Sequence, residues 1–94
     1  MVASGNIQPF DLLPSQARAA RALLDWTLAQ LATECGVTVR SLHRFERGYT
    51  GPHRSTLAAI RQALEIAGVE FIEAARGKGP GVRLARPSDP ENGC

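Results

Sequence analysis

Residues 27–48 restrict the possible folds more than any other part of the chain. Thr27-Leu28-Ala29-Gln30 has the pattern of a capping box, with Thr27 as helix N-cap and Gln30 reaching back to it. Gly36 follows at the point where that helix must end, because glycine takes the left-handed conformation that helix ends often need. Thr38 is a second N-cap, Val37 is placed to pack on Leu42, and Gly48 closes the second segment. The spacing therefore predicts two helices of about eight residues joined by a turn of three or four residues. The first presents Leu28, Leu31, Ala32 and Cys35 inward, and the second presents Leu42 and Phe45. Helices this short are marginal alone in water, so other segments must cover them.

The flanks supply that cover. Pro14 suits the first turn of a helix, and Gln16 to Leu24 is rich in Ala, Arg and Leu. Ala17, Ala20, Arg21 and Leu24 share one face, Asp25-Trp26 ends the segment, and Trp26 caps the first two helices. Tyr49 to Arg54 reads as a loop marked by Gly51-Pro52. A further helix starts at Ser55 or its neighbour, turns Leu57, Ile60 and Leu64 inward, and ends at Gly68. Val69 to Glu73 then changes to β-type residues. Gly77-Lys78-Gly79-Pro80-Gly81 supplies a turn and Val82-Arg83-Leu84 a second strand, which makes a hairpin. The expected fold is mostly α, four to five helices with a short C-terminal β-hairpin. Residues 1–12 are expected to be a flexible leader, 13–68 the helical domain, 69–84 the hairpin and 85–94 a disordered tail.

Size and composition narrow the function classes. Ninety-four residues with 44% hydrophobic content support one small core, too small for a doubly wound nucleotide-binding sheet or a barrel. An enzyme is not expected, nor any cofactor. No apolar stretch is long enough to span a membrane, and the first residues lack the pattern of a secretory signal. Cys35 and Cys94 are the only cysteines, so no disulfide framework exists and a cytoplasmic setting is expected. Cys35 reads as a core residue. His43 and His53 recur at no metal-ligand spacing, so no metal site is expected.

Charge is concentrated. The net charge is only +2, yet Arg40, Arg44, Arg47, Arg54 and Arg61 fall between Thr38 and Arg61 against a single acid, Glu46. Turning Leu42 and Phe45 inward leaves Val39, Arg40, His43, Arg44 and Arg47 pointing outward. A helix with an apolar back and a cationic front suits a polyanionic partner, and the DNA major groove accepts such a helix.

The string Leu31-Ala32-x3-Gly36-Val37-x4-Leu42-x2-Phe45-Glu46-x-Gly48 resembles the Cro/repressor-type helix-turn-helix, also called XRE-like or lambda-repressor-like. The resemblance covers roughly residues 14–68. The segment 18–24 and the C-terminal Gly-Pro-Gly-Val-Arg-Leu are similar to a subgroup of short bacterial regulators. The resemblance implies a sequence-specific, double-stranded DNA-binding transcriptional regulator, a repressor that occupies a pseudo-palindromic operator as a homodimer, nucleoid-associated when bound. It implies base-reading roles for Thr38, Val39, Arg40, His43 and Arg44, with Arg40 and Arg44 the best matched to guanine and Val39 to a thymine methyl. Thr27, Ser41, Arg47, Tyr49, His53 and Arg54 match positions that touch the DNA backbone. Arg21 and Glu46 match a structural ion pair. Many relatives carry glutamine just after the N-cap of the second helix, where this chain has Leu28. The hairpin has two readings: Phe71 and Ile72 complete the core beside the fourth helix, or Val69, Phe71, Ile72, Val82 and Leu84 form or complete the dimer interface. RNA polymerase or another protein is a further expected partner. The alternatives are an antitoxin-type regulator with a protein partner, or an interaction module that has kept the fold without recognising DNA.

Overall fold

A computed structural model describes residues 12–49 and 51–86; the expected leader up to residue 11 and the tail from residue 87 lie outside the described residues. Four helices and two strands follow in chain order: α1 (Pro14–Leu24), α2 (Leu28–Cys35), α3 (Val39–Glu46), α4 (Arg54–Ile66), β1 (Val69–Ile72) and β2 (Gly81–Leu84).

Local chemistry accounts for most of the boundaries. Pro14 opens α1, and the Gln16 side chain accepts from the Leu13 backbone N–H at 3.0 Å. Asp25 ends α1 in the left-handed region at φ 59°, an uncommon place for a residue with a Cβ. Both halves of the Thr27–Gln30 capping box form. The Gln30 N–H donates to Thr27 Oγ1 at 3.1 Å, and the Thr27 N–H donates to Gln30 Oε1 at 2.7 Å. Gly36 stops α2 at φ 75° and donates its N–H to the Ala32 carbonyl, leaving two residues before α3. Thr38 Oγ1 accepts from the Ser41 N–H at 3.0 Å to start α3. One boundary differs from the expectation: Arg54 is the first residue of α4 and not the last of the loop, with His53 as its N-cap.

One core joins every element. Leu31, Leu42, Ile60 and Leu64 are its largest fully buried side chains, with Ala17 and Ala20 allowing α1 to approach closely. Trp26, Leu28, Cys35, Val37 and Leu57 pack around it partly buried. α2 rests on α4 and on α3, and α1 touches α3, α4 and both strands. Leu12, expected in the leader, is buried in this core.

The strands form an antiparallel pair in which Val69, Glu70, Phe71 and Ile72 face Leu84, Arg83, Val82 and Gly81. The reversal occurs earlier than the glycine-rich run suggests. Ala75 and Lys78 exchange backbone hydrogen bonds of 3.0 and 2.9 Å across Arg76 (φ 55°) and Gly77 (φ 78°). Positive φ at both central residues is the pattern of a type I′ hairpin turn, so Gly79-Pro80-Gly81 belongs to the returning arm.

The hairpin also corrects the expected interface. Strand side chains alternate between faces, and Val69 and Phe71 point into the chain's own core at 2% and 9% exposure. Val82 and Leu84 lie opposite them and are half-buried. Ile72 alone of the five faces outward. Further ties hold the hairpin to the helices: Gln16 Nε2 donates to the Gly81 carbonyl at 3.1 Å, and the Arg61 guanidinium lies 4.9 Å from the Phe71 ring centroid.

Candidate nucleic-acid interface

α3 divides cleanly into two sides. Leu42, Phe45 and Glu46 are buried, whereas Val39, Arg40, Ser41, His43, Arg44 and the following Arg47 are exposed. Among the described residues no side-chain hydrogen bond or ion pair holds the guanidiniums of Arg40, Arg44 or Arg47. Their guanidiniums stand in solvent as an unneutralised stripe.

The stripe borders a cleft. Thr38, Arg40, Ser41, Arg44, Pro52, His53 and Thr56 line a depression of about 400 Å³ between α3 and the start of α4. This brings together residues from two expected groups, the base readers Thr38, Arg40 and Arg44 and the backbone contacts Ser41 and His53. α4 begins at this cleft, and its N-cap, His53, makes no side-chain capping bond. The positive end of a helix dipole favours an anion, and Arg40 and Arg44 add to that potential. Thr56 and Pro52 were not legible as site residues, because their proximity to α3 arises from the path of the intervening loop.

The remaining candidates are distributed around this centre. Tyr49 is 64% exposed just beyond α3, and Arg54 is exposed on the first turn of α4. Thr27 is exposed at the start of α2, with its hydroxyl and N–H engaged in the capping box. Leu28 is partly buried against the core and offers no polar group.

The position of α3 depends on its C-terminal residue. Arg21 Nε and Nη2 donate to the two oxygens of Glu46 at 2.8 and 2.7 Å, and Nη1 donates to the Trp26 carbonyl at 3.1 Å. Hydrogen bonding to Glu46 raises the Arg21 pKa above its ordinary value. Glu46 is the one buried charged residue described, at 3% exposure. A second arginine, Arg18, donates from Nη1 to the Glu46 carbonyl. Arg18 was not singled out from the sequence; its spacing of three from Arg21 on a helix was the available signal.

Other chemistry finds little support. Burial pushes the Cys35 thiol pKa up, which disfavours the thiolate needed for nucleophilic attack or metal binding. Among the described residues no cluster of His, Cys, Asp or Glu could hold a metal ion, and no helix is long and apolar enough to cross a membrane.

Comparison with known proteins agrees with the geometry. A family model described as helix-turn-helix matches residues 18–71, more than half of the chain. The chain is 35% identical over 78 residues to proteins named uncharacterized HTH-type transcriptional regulators in Mycobacterium bovis and Mycobacterium tuberculosis. The match covers 78% of this chain and 30% of each relative, so the chain spans less than a third of their length.

Proposed function

From the premise that the chain belongs to the XRE-like helix-turn-helix family, we propose that it is a transcriptional regulator that binds specific sequences of double-stranded DNA. α3 enters the major groove, with Arg40 and Arg44 each forming two hydrogen bonds to guanine O6 and N7. Val39 meets a thymine methyl, and Thr38 and His43 face neighbouring base edges. Thr27, Ser41, Arg47, Tyr49, His53 and Arg54 hold the flanking phosphates, which set register without reading sequence. The observation that carries this reading is the exposed edge of Arg40 and Arg44, whose side chains have no ion-pair partner among the described residues, beside the cleft at the start of α4.

The proposal includes action as a homodimer on a pseudo-palindromic operator, where it blocks transcription. Two recognition helices would then lie about 34 Å apart, one turn of DNA. Ile72, outward-facing at 37% exposure, adjoins an apolar groove of about 320 Å³ that also exposes Leu13, and a second copy would pack there. The mycobacterial relatives, named as transcriptional regulators, support the regulatory role.

Salt dependence tests the reading directly. Binding to duplex DNA should weaken by about 0.9 log units per log unit of salt for each phosphate neutralised. Arg44→Ala should lower affinity for a selected site about tenfold or more while leaving random duplex nearly unchanged. Arg47→Ala should weaken both alike. Equal losses for the two variants would overturn the assignment of base readers. For the dimer, Ile72→Arg should convert a sedimenting dimer to a monomer without unfolding it. Deleting the hairpin is no test, because it removes core residues Val69 and Phe71.

A further inference from the structure

We infer that Arg18 is a positioning residue for sequence discrimination, holding the C-terminal end of α3 so that the opposite end meets the bases at the correct angle. This rests on the proposed placement of α3 in the groove. Arg18 and Arg21 lie three residues apart on α1 and reach the same residue by different atoms. Arg21 grips the Glu46 carboxylate through two nitrogens, and Arg18 donates to the Glu46 backbone carbonyl. The carboxylate is at the end of a flexible side chain, so gripping it constrains the end of the helix axis less directly than a bond to the backbone. The carbonyl belongs to the helix backbone itself.

That carbonyl needs a partner. The last carbonyls of any helix lack intrahelical donors, and the described backbone N–H groups just beyond α3 run elsewhere: Arg47 to His43, Gly48 to Phe45 and Tyr49 to Arg44. Glu46 is buried, so water cannot readily substitute. Among the described residues Arg18 is the donor to this oxygen. A cation at a helix C-terminus is also favoured by the dipole.

Leverage makes the contact matter for recognition. Eight residues span about 12 Å along a helix, with Glu46 at one end and Val39 and Arg40 at the other. Tilting such a rod by about 10° about its held end moves the far end by about 2 Å, well outside hydrogen-bond tolerance for a bidentate contact. Phosphate attraction, being long-ranged and less directional, survives the same tilt.

The test uses the full chain carrying Arg18→Gln or Arg18→Lys, probed with a duplex selected by the wild type from a random library and with a random duplex. In Arg18→Gln the amides of Arg47, Gly48 and Tyr49 should exchange several-fold faster, with those of α2 and α4 unchanged. Affinity for the selected duplex should fall about tenfold, while random-duplex affinity and the salt slope stay constant. Arg18→Lys should recover most of both effects, since it retains a charged donor. Unchanged exchange at the end of α3 overturns the inference while leaving the DNA-binding reading intact. So does a salt slope reduced by about 0.9 with equal losses on both duplexes, which would make Arg18 a phosphate contact. A lower urea midpoint with unchanged affinity per folded molecule also overturns it. If the wild type binds no duplex, the DNA reading fails, and the exchange result still decides whether Arg18 holds α3.

Discussion

Helix α3 and the C-terminal hairpin are both too short to persist alone, and each carries an arginine–glutamate fork, yet the two forks do different work. α3 ends at Glu46, a carboxylate at 3% exposure met by Arg21 from another helix. In the hairpin Glu70 and Arg83 face each other across the ladder at 3.0 and 3.2 Å, both well exposed. Both pairs have good geometry. The first joins distant segments away from water, where removal of one partner strands a charge. The second lies in solvent, where screening leaves little net gain. The hairpin is held instead by Val69 and Phe71 entering the core. Charge therefore positions the element proposed to read DNA, and apolar burial holds the element behind it.

Four substitutions would break or sharpen this contrast. The largest effect is expected from Phe71→Ala, which empties part of the core and should cost about 3–4 kcal/mol in urea unfolding. A loss under about 1 kcal/mol would mean that the hairpin is a mere appendage. Arg21→Ala should cost about 2–3 kcal/mol, the lower end for a broken buried pair because the Arg21 side chain retains 22% exposure. Its loss of DNA affinity should exceed the fraction unfolded. Asp25→Gly should stabilise by about 0.5–1 kcal/mol, since Asp25 occupies the left-handed region that glycine enters without penalty. That gain should leave DNA binding untouched.

Arg83→Ala should shift the denaturation midpoint least of all. Hydrogen bonding to Arg83 holds the Glu70 carboxyl below its ordinary value. The folded-state pKa is thus depressed, so whatever stability the pair gives is present above the unfolded-state value and is lost as pH falls through the folded one. Carboxyl chemical shifts in the wild type should show Glu70 titrating low, and in Arg83→Ala it should return toward ordinary glutamate. A large neutral-pH destabilisation by Arg83→Ala would erase the distinction between the forks.

Much of α2 and α3 was legible because their limits are set by neighbours in sequence. A threonine hydroxyl caps an N–H three residues on, and glycine takes a left-handed φ wherever the turn requires it. The outward set from Val39 to Arg47 followed, since a helix with Leu42 and Phe45 buried has only one other side. The chain by itself therefore determined the helical count to within one, the helix-turn-helix and the unneutralised front of α3.

Only the tertiary structure decided the rest. Leu12 reads as leader until α1, α4 and the hairpin leave it an apolar site, and the sequence leaves Phe71 between core and interface until the pleat turns it and Val69 inward. The true turn at Arg76-Gly77 was hidden by a glycine run beside it, because local composition does not encode strand register. Arg18 acquires its role from a carbonyl 28 positions away. In each case the deciding energy lies between segments remote in sequence, where burial and backbone pairing depend on what the fold brings close.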